Sequence, residues 1–392
     1  MTDNFGDIRR AYKYILIFFL ITFISASLES GYYFLLPYLE GSGIAAGLLG
    51  GAAMGVCYGI SFVIRPFIPA VEQRIGDEWM LRCGYICFFI SAAGVAAAAV
   101  SINQIIFWRG LAGLGLSMVG VSLTAYEKEF IPEHIRGYSI ALITTAYSLP
   151  SLVVVPPMEY LIGHGFFKTY IFFFPLLVAV GFWAVLRLPG IKGGGAQENE
   201  EKALSYAALL KEPKIQLFAL SAALFALTDA GQLTFVQLAK EIGMAASYFF
   251  SVSAATALIF RIFCGRLIDL LPRKICASGA CALTAAMMFT MTFASTPAAL
   301  MICGFLFGVG MGFGYPAFMC MTLDLGGRKN VTRLAVIFGL IYSGLFFLTP
   351  VAMEFLIKLT GGAGPAYRLL YLSVFVISSA LVPVSARVYR SN

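Results

Sequence analysis

The sequence predicts an all-α polytopic membrane protein with twelve transmembrane helices in two pseudo-symmetric six-helix bundles. Three observations carry that prediction: a surplus of apolar residues, a one-sided distribution of positive charge, and an internal repeat. Of 392 residues, 60% are apolar and only 12% are charged, and the mean hydropathy is +0.86. A soluble chain carries roughly 25% charged residues. This one has too little polar surface to cover a water-facing domain.

A bilayer-spanning helix needs about 20 mostly apolar residues. Breaks fall at EGSGIAAG (40–47), QRIGDEW (73–79), PEHIRG (132–137), GIKGGGAQENEEK (190–202), LLPRK (270–274) and LGGRKN (325–330). The runs between them predict spans near 14–37, 45–67, 80–100, 103–126, 138–162, 168–187, 214–238, 245–268, 275–295, 297–322, 333–358 and 366–388. These runs are continuously apolar instead of alternating, which excludes a β-barrel. The opening MTDNFGDIRRAYKY, with SAS at 25–27, faintly resembles a signal peptide. Its apolar stretch continues to Pro37, longer than a signal core, and reads as an uncleaved first span.

With the N-terminus inside, 22 of the 27 Lys and Arg fall in cytoplasmic segments. Four (Lys168, Lys240, Lys358, Arg368) fall in outer loops, and Arg109 is stranded inside a span. Positive charge accumulates on the cytoplasmic side, so a multi-pass plasma (inner) membrane protein with both termini cytoplasmic is expected. The net charge of +7 then reflects topology and lipid headgroups; no basic patch suggests nucleic acid. The eight cysteines lie in or at the ends of spans, with no CxxC and no Cys/His cluster. They read as small apolar residues, not disulfides or metal ligands. No cofactor, metal or enzymatic centre is expected. There is no G-x-x-x-x-G-K-[ST] loop, and GVGMGFG (308–314) sits inside a span with no strand before it. Energy must come from an ion or solute gradient.

The repeat is read from four matches in chain order. VPPMEYLI (155–162) and PVAMEFLI (350–357) share M-E-aromatic-L-I at a spacing of 195. IRPFIPAVEQRIG (64–76) aligns with FRIFCGRLIDLLP (260–272) at 196. GLAGLGL (110–116) aligns with GFLFGVGMG (304–312), placing Gly113 on Gly308 and Gly115 on Gly310. SLESGYY (27–33) aligns with LTDAGQL (227–233) at 200, placing Glu29 on Asp229 and Gly31 on Gly231. One nearly constant offset means a duplicated half. Each half starts inside, so the repeats are parallel, related by an axis along the membrane normal. The organisation expected is an N-terminal bundle (1–187), a polar, Gly-rich cytoplasmic linker (188–213) and a C-terminal bundle (214–392).

Together these features resemble the major facilitator superfamily over the whole chain. The family's loop motif, G-x-L-x-D-R-x-x-R/K between spans 8 and 9, reads here as Gly265, Leu267, Asp269, then Arg273 and Lys274. The copy between spans 2 and 3 departs from it, with Pro69 for Gly, Gln73 for Asp and Asp77 for a basic residue. Span 4 carries the Arg-Gly-x-x-Gly-x-Gly pattern as Arg109, Gly110, Gly113 and Gly115, and PEHIRG, with Arg136, resembles the P-x-x-x-R-G loop. VPPMEYL is similar to the exporters' span 5 motif, though Pro156, Glu159 and Tyr160 stand where that motif has glycine. Arg65–Pro66 with the second loop motif loosely resembles sugar- and drug-efflux branches. The resemblance implies a secondary transporter whose halves rock around a central cavity lined by spans 1 and 7. It is expected to act as a monomer.

An ionisable residue deep in a span costs several kcal/mol unless paired or watered, so it marks function by default. Glu29 and Asp229 are each sixteenth in their spans and are the first candidates for proton coupling or substrate contact; a helix–helix polar contact is the other reading. Arg109, with Glu29 as the nearest plausible partner, reads as either a structural ion pair or a coupling element. Tyr32, Tyr33, Gln232 and Tyr315 lie about one turn from the acids or the span 10 glycines and are candidates to face the cavity. Glu159 and Glu354 are each twenty-second in their spans, in the outer headgroup zone, with Lys358 four residues after Glu354. They mark ancestry more than chemistry, and an outer gate is the function left to them. On the inner side, Gly265, Asp269 and Arg273 form a gating motif in which Asp269 is expected to meet Arg136 or the start of span 5. Gly47, Gly51, Gly55 and Gly59 allow close helix approach, and Pro150, Pro156, Pro157 and Pro350 should bend spans 5 and 11.

Three functions follow. In the first, protons drive export of a small cationic or neutral amphipathic solute, exchanged at Glu29 and Asp229. In the second, a proton symporter takes up a sugar, carboxylate or other metabolite, with Arg109 anchoring an anion. In the third, a receptor or scaffold has kept the fold and lost transport.

Overall fold

The computed structural model describes residues 2–44, 47, 49–97, 101–190, 206–263 and 273–388. Among the described residues every regular element is helical, and ten helices are long and apolar enough to cross a membrane. The first half holds α1 (Tyr12–Gly41), α2 (Leu49–Phe67), α3 (Ala70–Ala97) and α4 (Ile102–Phe130). It continues with α5, in two pieces, Glu133–Val153 and Val155–Gly163, and α6 (Phe167–Leu186). The second half holds α7 (Pro213–Glu241), the shorter α8 (Ser247–Phe263), α9 (Cys276–Phe293) and α10 (Pro297–Gly326). It ends with α11 (Arg333–Thr360) and α12 (Ala363–Ser385). Two compact units result, Met1–Gly195 and Ala196–Asn392.

Within each unit the same local chemistry recurs at the offsets of the sequence repeat. The first helix is interrupted by one tight turn, Tyr32–Phe34 in α1 and Gly231–Thr234 in α7. Beside that turn a glycine admits a ring from the unit's last helix. A Cβ on Gly31 would strike Phe174 of α6, and one on Gly231 would strike Tyr371 of α12. One helical turn away, Tyr170 Oη donates to the Gly31 carbonyl at 2.9 Å and Tyr367 Oη to the Gly231 carbonyl at 2.7 Å. In the fourth helix of each unit, Gly113 lies against the Cys57 carbonyl of α2 and Gly308 against the Ser253 carbonyl of α8. The missing side chain lets the two backbones touch. Both fourth helices start on a hydroxyl cap: Ser101 accepts from Gln104 N at 3.4 Å, Thr296 from Ala299 N at 3.2 Å.

Several expectations need correction. Helical geometry continues from Pro297 to Thr360, yet α10 and α11 are not one rod. The rings of Phe318 and Phe338 lie 6.2 Å apart, whereas twenty residues of straight helix cover about 30 Å. The chain therefore reverses between them. PEHIRG is not an open loop, because helix Glu133–Val153 begins within it. QRIGDEW is helical except at Gly76 (φ 77°, ψ 159°), where only a residue without Cβ is unstrained. Span 5 does bend: its two pieces meet at Val154, whose N–H donates to the Pro150 carbonyl at 2.7 Å, and Pro156 and Pro157 supply no N–H to continue the ladder. Pro350 is carried inside α11 without a break.

Arg109 is also not the sole arginine within a span. Arg65 lies in α2 and Arg261 in α8, although both were assigned to cytoplasmic segments.

Candidate functional site

In the first unit the site is built from three helices. Glu29 projects from α1 toward α2, where its carboxylate accepts from Tyr58 Oη at 2.9 Å. Tyr58 is 6% exposed, so this bond forms inside the unit, away from lipid. Arg109 and Arg65 both lie within electrostatic reach of the carboxylate. Tyr33 is half-buried and lies near Tyr58.

A buried guanidinium must find acceptors for its donors. Arg109 of α4 is 3% exposed and finds them on α2. Nε donates to the Ala53 carbonyl at 2.8 Å, and Nη2 to the Met54 carbonyl at 3.0 Å and Cys57 Sγ at 3.5 Å. The planar group also lies 4.2 Å from the centroid of the Tyr32 ring, a cation–π contact. Tyr32 in turn stacks on Phe174 at 4.3 Å. Arg109 therefore fastens α4 to α2 and to the turn of α1. Its direct bonds go to α2, not to Glu29, the partner expected from sequence.

In the second unit Asp229 sits two residues before the turn that interrupts α7. The Gly231–Thr234 turn brings Gln232 back over it, and Gln232 Nε2 donates to Asp229 Oδ1 at 2.6 Å. Arg261 of α8 is within electrostatic reach of Asp229, Tyr315 and Tyr342. Tyr315 of α10 meets Tyr342 of α11 edge-on at 5.9 Å and Phe338 at 6.0 Å. Tyr371 of α12 also lies in the field of Asp229. Sequence reasoning missed Tyr58, Arg65, Arg261, Tyr342 and Tyr371 as neighbours of the acids. Arg65 and Arg261 were signalled, since they align at 196 in the repeat, but their nearness to the loop motifs drew both to the water side.

Near the end of α7, Gln237 Nε2 donates to Glu354 Oε1 of α11 at 2.7 Å, tying first and fifth helices of that unit. Pro37 occupies the matching place in the first unit, and a proline side chain cannot donate. Glu159 is half-buried on the second piece of α5. Glu241 bonds the backbone N–H groups of Ala363 and Gly364, capping the start of α12. On the inner side, Gly265 and Asp269 lie outside the described residues. Arg273 begins a helix, Arg273–Thr290, and Arg136 falls in the first turn of Glu133–Val153.

A Major Facilitator Superfamily family model matches residues 18–238 and 218–390. No curated protein matches the chain significantly in sequence. Among solved structures, a POT family transporter in complex with 5-aminolevulinic acid is similar, with TM-score 0.77, 12% identity and 96% of each chain covered. A POT family transporter with a thioalcohol conjugated peptide gives 0.76 at 10% identity, again over 96% of each chain. The inward-open xylose transporter XylE from E. coli gives 0.75 at 14% identity over 95% of each. At these identities the likeness is one of fold. The family model, matching each half of a duplicated twelve-helix protein, establishes that this chain belongs to the major facilitator superfamily and is a transporter of small solutes.

Proposed function

We propose that the chain is a proton-coupled secondary transporter that exports a small organic solute by alternating access. In this reading it works as a monomer in the plasma (inner) membrane, with both termini cytoplasmic. The observation that carries it is the recurrence of one arrangement in each unit. A carboxylate on the first helix takes a hydrogen bond from a neutral donor, Tyr58 to Glu29 and Gln232 to Asp229. It also lies in the field of an arginine on the second helix, Arg65 or Arg261. A carboxylate so placed can exchange its arginine's field for a proton or a solute group as the helices rearrange. The direction rests on Arg65–Pro66 with the second loop motif, which loosely resemble efflux branches. Solved structures of similar fold hold 5-aminolevulinic acid and a conjugated peptide, which supports a small organic cargo.

The test is flux in proteoliposomes under pH gradients of either sign. Glu29→Gln should abolish gradient-driven transport while leaving the protein folded, and unchanged transport would remove Glu29 from the coupling step. Export predicts flux against an inward proton gradient. Flux along that gradient would favour uptake by symport, and no flux at all the receptor reading.

A further inference from the structure

Resting on the transporter reading above, we infer that the second unit holds an anion-binding site built on Arg261, and that the cargo is an organic acid with an apolar or aromatic body. Arg261 stands on α8 with its Nε closed off from solvent. Asp229 of α7, Tyr315 of α10 and Tyr342 of α11 lie within its electrostatic reach, so four helices converge on one guanidinium. The Asp229 carboxylate already accepts from Gln232 at 2.6 Å. Among the described residues Tyr342 Oη is buried without a hydrogen-bond partner, which costs free energy unless something else accepts from it. A guanidinium fork and a phenolic donor together suit a carboxylate.

The surroundings specify the rest of the molecule. Tyr342 packs on Phe338 at 4.8 Å, Phe346 at 5.8 Å and Tyr315 at 5.9 Å. Such a wall takes an apolar body or a stacked ring. Arg109, the anchor an anion would take on sequence grounds, has its Nε and Nη2 engaged by Ala53, Met54 and Cys57.

The competing role for Arg261 is counter-ion to Asp229 and nothing more. Thermal unfolding of the full-length protein in lipid nanodiscs separates the two, with phenylbutyrate, phenylbutylamine and phenylbutyramide as probes. Phenylbutyrate should raise the melting temperature of the native protein, and the amine and amide should not. Arg261→Gln should lose that shift, Arg261→Lys should retain part of it, and Tyr342→Phe should reduce it. The double variant Arg261→Gln/Asp229→Asn should still lack it. Recovery in the double variant reduces Arg261 to a counter-ion and overturns the proposal. So does an equal or larger shift from the amine or amide, or none from the acid; these results on native protein stand even if a variant fails to fold. A shift with phenylbutyrate but no phenylbutyrate flux into proteoliposomes would uphold the anion site and contradict transport instead.

Discussion

The two units start from one duplicated plan and solve the problem of a buried charge differently. In the first, Arg109 is locked onto α2 by two carbonyls and a thiol and stacked on Tyr32. In the second, the matching position is Gly304, which presses against the backbone of Phe249. A long cationic clamp in one half is replaced by bare backbone contact in the other. The lesson is that the repeat conserves close approach between second and fourth helices, while the means of fastening them diverged. What stays common is the acid on the first helix and the arginine on the second. That shared pair is where the proposed coupling is placed, whereas the contacts of Arg109 are those of a fastener.

This comparison can be broken most forcefully at Arg109. Arg109→Met removes three donor contacts and a stacked cation, with hydrogen bonds to charged groups contributing about 1.5–3 kcal/mol each. A fall of several degrees in the melting temperature of the purified protein is expected. A full-strength melting curve with lost transport would instead make Arg109 a coupling residue. Gly113→Val and Gly308→Val should each cost about 1–3 kcal/mol, because a side chain there meets backbone that cannot move aside. Equal losses sharpen the equivalence of the two helix contacts; a large loss in one alone breaks it. The smallest effect is at Glu354. Glu354→Gln should weaken the tie to Gln237 by about 1 kcal/mol, and a melting curve left unchanged would show that this bond does not fasten α7 to α11.

Much of this architecture was legible in the sequence, because hydropathy, positive charge and a repeat all act over tens of residues. The pairing of Gly31 with Gly231 and Gly113 with Gly308 is legible from spacing alone, and the structure gives the members of each pair the same job. The neighbours of the acids were less legible. Tyr58 reaches Glu29 from another helix, and no spacing within one helix encodes which face of α2 turns toward α1. Arg65 and Arg261 were misplaced because a side-of-membrane rule counts charge near a loop without knowing where a helix ends. At the corner between α10 and α11, Gly326 and Gly327 signal a break in the sequence but do not say how tightly the chain turns. For Arg109 the expected partner was an acid, yet backbone carbonyls satisfied it, and a sequence does not display carbonyls.

The shared acid of the two halves is tested most directly by infrared difference spectra of the full-length protein in bilayers, recorded while pH is varied. Native protein should show protonated-carboxyl C=O signals that change with pH across the physiological range. Glu29→Gln and Asp229→Asn should each remove a different one of them. Spectra in which both variants retain every native carboxyl signal would contradict a proton-carrying role for either residue.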